Sequence, residues 1–134
     1  MTTDHQKLRI VSDKDALTAV VTIQNLGQKN GFKHKKISAI STAVSELTTN
    51  ALKYAGNAIM SVRILHQRNR IGMEIIIEDR GPGIENLDKA MTDYFSTGGT
   101  LGLGLPGTKR LVDEFEIKTA PGKGTSVRIA IWEP

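Results

Sequence analysis

Apolar residues recur along the chain with two different periods, and the change of period marks out its elements. Between residues 33 and 55, Ile37, Ile40, Val44, Leu47, Ala51 and Tyr54 fall at alternating spacings of three and four. That is one stripe of an α-helix, the face that packs on a core. Residues 12–30 predict an earlier helix, because Ser12 and Asp15 stand three apart as an N-terminal capping pair and Gly31 stops it. Residues 58–66 and 71–79 are rich in β-branched and apolar side chains, and the polar Gln67-Arg68-Asn69-Arg70 between them predicts a hairpin. Residues 115–119 and 125–132 repeat that pattern around the turn signal Pro121-Gly122-Lys123-Gly124. An edge strand at 7–11, a short helix at 86–92 and a last helix at 105–114 complete the order β-α-α-β-β-α-α-β-β. Elements grouped in this way predict an α/β (α+β) two-layer sandwich, with a mixed, mostly antiparallel sheet and helices on one face. A doubly wound parallel sheet is not expected.

Length and composition narrow the class. The 134 residues suit a single domain spanning 1–134 and exclude a two-domain enzyme. With 39% hydrophobic and 24% charged residues the chain is neither compositionally disordered nor membrane-spanning, and no apolar run approaches the roughly 20 residues a bilayer helix needs. Cysteine is absent, which removes disulfides, thiolate nucleophiles and Cys-ligated zinc. The first residues lack the apolar core of a signal peptide, so the expected location is cytoplasmic, with no membrane partner. A net charge of +4 favours acidic partners or polyphosphate ligands. Nucleic acid is not an expected partner: aromatics are only 4%, and the densest basic run, Lys33-His34-Lys35-Lys36, falls where a helix begins.

Candidate chemistry then gathers in four places. Glu46, Asn50 and Lys53, spaced four and three apart, share one helix face turned away from the apolar stripe, which is either a solvated face or one wall of a site. The apolar strand at 73–77 ends in Glu78-Asp79-Arg80-Gly81-Pro82-Gly83-Ile84. Glycines there let backbone pass close to a ligand or take positive φ. The Asp79 carboxylate only accepts hydrogen bonds, so it suits the amino group of adenine and repels the carbonyl guanine has in its place; an ordinary strand-to-loop turn is the alternative. The glycine-rich run 98–107 leads into a helix, an arrangement that offers backbone N–H groups to phosphate and flexibility to a lid. Gly102, Gly104 and Gly107 also spell the dinucleotide fingerprint, but no strand precedes them and position 127 is Val127 where an acidic residue belongs. Finally, Gly122-Lys123-Gly124-Thr125 is a hairpin turn, and the Thr125 hydroxyl is in addition a candidate to stand beside Asp79 on the adenine edge.

Taken in order, Glu46-x-x-x-Asn50-Ala51, Asp79-x-Gly81-x-Gly83, Gly102-x-Gly104 and Gly124-Thr125 resemble the N, G1, G2 and final boxes of the GHKL ATPase superfamily, the Bergerat fold. The resemblance spans nearly the whole chain. Within the superfamily the chain looks most like the small bacterial anti-sigma-type serine/threonine kinases of stress signalling, on residues 75–84, Ala90-Met91, Phe95-Ser96-Thr97 and 101–115. It departs from that pattern at Tyr94 and Thr100, where glycine is expected. The resemblance implies ATP and Mg²⁺ as cofactors, Glu46 as the catalytic base and Asn50 as the metal ligand. It implies an ATP site formed by Asn50, Lys53, Asp79, Gly81, Gly83, Ile84, Gly102, Leu103, Gly104 and Thr125. The implied activity is an ATP-dependent protein serine/threonine kinase that phosphorylates STAS-domain antagonist and scaffold proteins of a stressosome-type complex, then switches partner to activate a downstream PP2C-type phosphatase. Two alternatives remain open: an anti-sigma factor kinase that sequesters a sigma factor, and a nucleotide-gated binding module with little catalysis, for which Glu46 would be dispensable.

Overall fold

The structure, a computed structural model, describes residues 2–84 and 104–133. Its elements in chain order are β1 (Thr2–Ile10), α1 (Asp13–Lys29), α2 (His34–Ala55), β2 (Ala58–Gln67), β3 (Arg70–Asp79), α3 (Gly104–Leu111), β4 (Glu114–Thr119) and β5 (Thr125–Glu133). The strands form one five-stranded sheet in the order β1-β2-β3-β5-β4, and every neighbouring pair is antiparallel. Where a mixed, mostly antiparallel sheet was expected, the described strands are antiparallel throughout.

Register stacks the apolar side chains into rows. Val62, Ile75, Ile129 and Phe115 pair across four strands, and Met60, Ile77, Val127 and Ile117 form the next row. Six of these side chains share one core cluster with Ala16, Ala19, Ile23 and Leu26 of α1 and with Ile37, Ile40, Val44 and Leu47 of α2, and the half-buried Phe115 and Ile117 pack against it. The period-2 face of the sheet and the stripes of the helices therefore bury each other in two layers. Each buried aliphatic side chain contributes about 1.5–3 kcal/mol relative to its exposed state.

Local signals set the element ends. Ser12 Oγ accepts the Asp15 N–H at 3.2 Å and Asp15 Oδ2 accepts the Val11 N–H at 2.9 Å, which starts α1. No side chain of its own first turn caps α2; the buried Glu133 carboxylate of β5 accepts the Lys33 N–H at 3.2 Å instead. Gly56, at φ +82°, ends α2 in the left-handed conformation. Arg68 and Asn69 both have positive φ, the geometry that a two-residue hairpin turn demands.

Three expectations need correction. β1 runs over Thr2–Ile10 rather than 7–11. Its polar first half has no apolar alternation to reveal it, and backbone pairing to β2 holds it. Val11 lies outside the strand and is exposed. Tyr54 does not belong to the buried stripe; it is 46% exposed, with the Lys53 ammonium 5.3 Å from its ring centroid. α3 ends at Leu111 and not at 114, because the Asp113 N–H donates to the Ala130 carbonyl at 2.9 Å and its carboxylate accepts the Trp132 N–H at 2.7 Å, drawing the chain into β4. The expected helix at 86–92, and Tyr94 and Thr100, lie outside the described residues.

Candidate active site

The apolar rows end in a polar one. Asp79 closes β3, Thr125 opens β5 and Thr119 closes β4, and the register pairs Asp79 with Thr125 and Thr125 with Thr119. Alternation places all three on the face of Ile77, Val127 and Ile117, the face that carries the helices. Asp79 Oδ1 accepts the Gly81 N–H at 2.9 Å, which fixes the carboxylate.

The glycines around this row serve the protein's own packing. Gly83 has φ +75°, and a Cβ on it would lie 2.0 Å from the Ala120 carbonyl oxygen. Gly124 has φ +77°, and its Cβ would lie 2.2 Å from the Asp79 carbonyl oxygen. Gly81 has no unusual φ but presses on the end of α2, where a Cβ would lie 2.6 Å from that of Ala55. Two hydrogen bonds then stitch the loop after β3 to the β4–β5 hairpin: Gly122 N–H donates to the Pro82 carbonyl at 2.7 Å, and Ile84 N–H to Thr119 Oγ1 at 2.8 Å. In the described residues these glycines allow approaches of backbone to backbone and of loop to helix, and two of them take the positive φ expected of the loop.

Contact of Gly81 with Ala55 sets the Asp79 end of the site beside the C-terminus of α2. Glu46 lies nine positions earlier on that helix, about 13.5 Å along its axis. It is 5% exposed, and its Oε2 has no hydrogen-bond partner among the described residues. A solvated face is therefore the wrong description for this residue. An acceptor sealed from water and left unpaired among the described residues is costly and calls for an explanation, a reactive role or a bound ion being two that this chemistry offers. Asn50, one turn further on, is half-buried, and Lys53 is exposed. The line Glu46-Asn50-Lys53 thus runs from the interior outward.

Among the described residues no cluster of three or more His, Asp or Glu side chains is arranged to hold a metal. The α2 line offers one amide oxygen and one carboxylate. That donor set fits Mg²⁺, which keeps several waters and takes the rest of its shell from substrate phosphates. Gly104 is the first residue of α3, whereas Gly102 and Leu103 lie outside the described residues. β4, which follows α3, runs antiparallel to β5, so the parallel crossover of a dinucleotide fold is absent there.

Thr119 is the residue that sequence reading missed. A signal for it exists: it stands as far before Gly122 as Thr125 stands after it, so any hairpin centred on that turn pairs the two.

This site, on this sheet, defines a class of protein. The chain belongs to the histidine kinase-like ATPase domain family, whose profile matches residues 10–131. It is an RsbT-like member of that kinase-type family: serine/threonine-protein kinase RsbT of Bacillus subtilis is 40% identical over 129 residues, 96% of this chain and 97% of that protein. The anti-sigma F factor of Caldanaerobacter subterraneus subsp. tengcongensis is 38% identical over 101 residues, 71% of this chain and 69% of its own length. The fold also matches the crystal structure of the RsbU and RsbW domains of a Mycobacterium tuberculosis protein, with a TM-score of 0.66 at 19% identity, covering 98% of this chain and 34% of that one. The mycobacterial sensor histidine kinase MprB matches with a TM-score of 0.55 at 18% identity, covering 96% and 97%. No helix among the described residues is long and apolar enough to cross a membrane.

Proposed function

We propose that this chain, as one cytoplasmic domain spanning 1–134, is an ATP-dependent protein serine/threonine kinase whose substrates are STAS-domain antagonist and scaffold proteins of a stressosome-type complex. The observation that carries the reading is the buried Glu46 carboxylate, with one oxygen unpaired among the described residues, one turn from Asn50 on a helix whose far end packs on the Asp79 loop. About 13.5 Å of α2 separates the two ends, a span that suits an extended nucleoside triphosphate.

Each residue has a task in this reading. Asp79 and Thr125 face the adenine edge, with Gly81, Gly83 and Ile84 shaping the loop that holds them. Gly102, Leu103 and Gly104 give backbone N–H groups to the phosphates, and Lys53 adds a cation at the rim. Such preorganised donors supply most of the catalysis in phosphoryl transfer. Asn50 gives its side-chain oxygen to Mg²⁺, which when bound offsets the charge of the phosphates. Glu46 takes the proton of a serine or threonine hydroxyl as that oxygen bonds to the γ-phosphorus; the bond from phosphorus to the β–γ bridging oxygen breaks, and ADP leaves. A positioned base of this kind contributes about 10²–10⁴-fold. Partner switching follows: phosphorylation of its captors releases the kinase to bind and activate a PP2C-type phosphatase. Similarity to an anti-sigma F factor favours a second reading, in which the same kinase sequesters a sigma subunit.

Glu46→Ala tests the central step. With purified protein, labelled ATP and candidate STAS proteins, the variant is expected to bind nucleotide normally while phosphorylation falls about 10²-fold or more. Undiminished transfer would remove Glu46 from the mechanism, whereas little transfer even by the parent protein would favour the binding-module alternative. Recovery of a sigma subunit in place of STAS proteins from lysate would select the second reading.

A further inference from the structure

The Thr119 hydroxyl has one hydrogen and two lone pairs, and three groups stand within hydrogen-bond reach of it. Ile84 N–H donates to its Oγ1 at 2.8 Å, which uses one lone pair. Its own hydrogen reaches the Gly124 carbonyl oxygen at 3.1 Å. Thr125 Oγ1 lies 2.9 Å away, and either hydroxyl is geometrically able to donate. Only one assignment satisfies all three contacts. Thr119 gives its hydrogen to Gly124, and the Thr125 hydrogen fills the remaining lone pair. The reverse assignment loses the bond to the Gly124 carbonyl and leaves a lone pair idle in a half-buried position.

The consequence falls on Thr125. With its hydrogen committed to Thr119, it presents only lone pairs to the site. Asp79, its register partner, is an acceptor as well. We propose that Thr119 is a positioning residue that holds Thr125 as an acceptor, so that the Asp79–Thr125 edge selects 6-aminopurine over 6-oxopurine nucleotides. The inference rests on the reading of Asp79 and Thr125 as the adenine-facing pair. At the 6-position an amino group donates to such an edge, whereas a 6-oxo group meets acceptors with an acceptor.

ADP and IDP differ only in the 6-position and the attached ring nitrogen, so the ratio of their dissociation constants, measured by calorimetry, reads this edge without any turnover. Thr119→Val keeps the shape and frees the Thr125 hydrogen to donate into the site; the preference for ADP is expected to fall about tenfold, and Thr119→Ser to retain it. If the Val variant does not fold, Thr119→Cys, a weak donor and acceptor, is expected to move the ratio in the same direction. In a Thr125→Val background Thr119→Val is expected to change the ratio no further. An unchanged ratio in Thr119→Val and Thr119→Cys, or the same fall in both backgrounds, would overturn the proposal. Asp79→Asn separates the two levels: if it leaves both affinities unaltered, the adenine reading fails and this inference with it. If it abolishes the preference while Thr119→Val does not, only the role of Thr119 is rejected.

Discussion

The two faces of the sheet solve the burial of β3 and β5 in different ways. On the helix side, Met73, Ile75 and Ile77 face Ile131, Ile129 and Val127, and α1 and α2 supply the cover. On the other side, the strands' own long side chains form the cover. Glu74, 5% exposed, binds Arg63 Nε through one oxygen and Arg128 Nε through the other at 2.6 Å. Arg128 Nη1 reaches Glu114 at 3.0 Å, and Glu114 accepts the Trp132 indole N–H. Trp132 lies so close over Gly72 that a Cβ there would meet its ring at 2.6 Å, and the Arg70 guanidinium stacks 4.9 Å from the ring centroid. The first face depends on volume and tolerates exchange among aliphatic residues. The second depends on partners, and the loss of one strands the others. The Asp79–Thr125–Thr119 row belongs to the first face, so the candidate site is supported from the side that charge and pH affect least.

Truncation on the helix side should have the largest effect. Ile75 is fully buried and central in its row, so Ile75→Ala is expected to cost about 2–5 kcal/mol of about 5–15 kcal/mol in all. Urea midpoints measure it, and a loss below about 1 kcal/mol would contradict the close packing of that face.

Glu74→Gln keeps the shape and removes the charge, with an expected cost of about 1–3 kcal/mol at neutral pH. Its pH dependence distinguishes the two faces. Burial pushes the Glu74 carboxyl up, but hydrogen bonds from Arg63 and Arg128 outweigh it and hold the group below its ordinary value of 4.5. The Trp132 and Arg128 hydrogen bonds do the same for Glu114. A carboxyl lowered on folding adds stability that is complete above its ordinary pKa and lost as pH falls through the folded one. The Glu74→Gln deficit should therefore shrink as pH drops below 4.5, while the Ile75→Ala deficit stays nearly constant. Thermal unfolding of both variants across that range checks it, and parallel curves would reject the ion network as a source of stability.

This contrast also explains what the sequence makes legible. Alternation along 71–79 and 125–132 announces the helix-side face, because neighbours two apart in sequence share it whatever strand lies beside them. The Glu74 network has no such signature: Arg63 is eleven residues away and Arg128 fifty-four, and only the order β2-β3-β5 brings both to one carboxylate. The candidate site divides likewise. Asp79, Gly81, Gly83 and Thr125 stand out locally by residue type, whereas Thr119 acquires meaning only when hairpin register places its hydroxyl against Thr125 and Ile84. Tyr54 errs in the opposite direction. It continues the three-four spacing, but on a 100° wheel it falls at the trailing edge of the stripe near the helix end, where the core no longer reaches it.

The smallest effect is expected at the rim, where the two faces meet. Lys36, in the first turn of α2, holds Asp113 at 2.8 Å, and both side chains are about a third exposed (33% and 39%). Burial pushes the Asp113 carboxyl up, yet the Lys36 hydrogen bond and the Trp132 backbone N–H bring it below its ordinary value. Lys36→Met removes one of these supports and keeps the aliphatic stem. Because the Trp132 N–H, at 2.7 Å, still fixes the carboxylate, the loss should lie in the range of exposed pairs, about 0.2–1 kcal/mol. Salt sharpens the test. At 1 M ionic strength the screening length is about 3 Å, so the difference between Lys36→Met and the parent should nearly vanish, while the Ile75→Ala deficit persists. A Lys36→Met loss above about 2 kcal/mol that survives high salt would show that the rim pair, rather than the apolar rows, fastens the helix layer to the sheet.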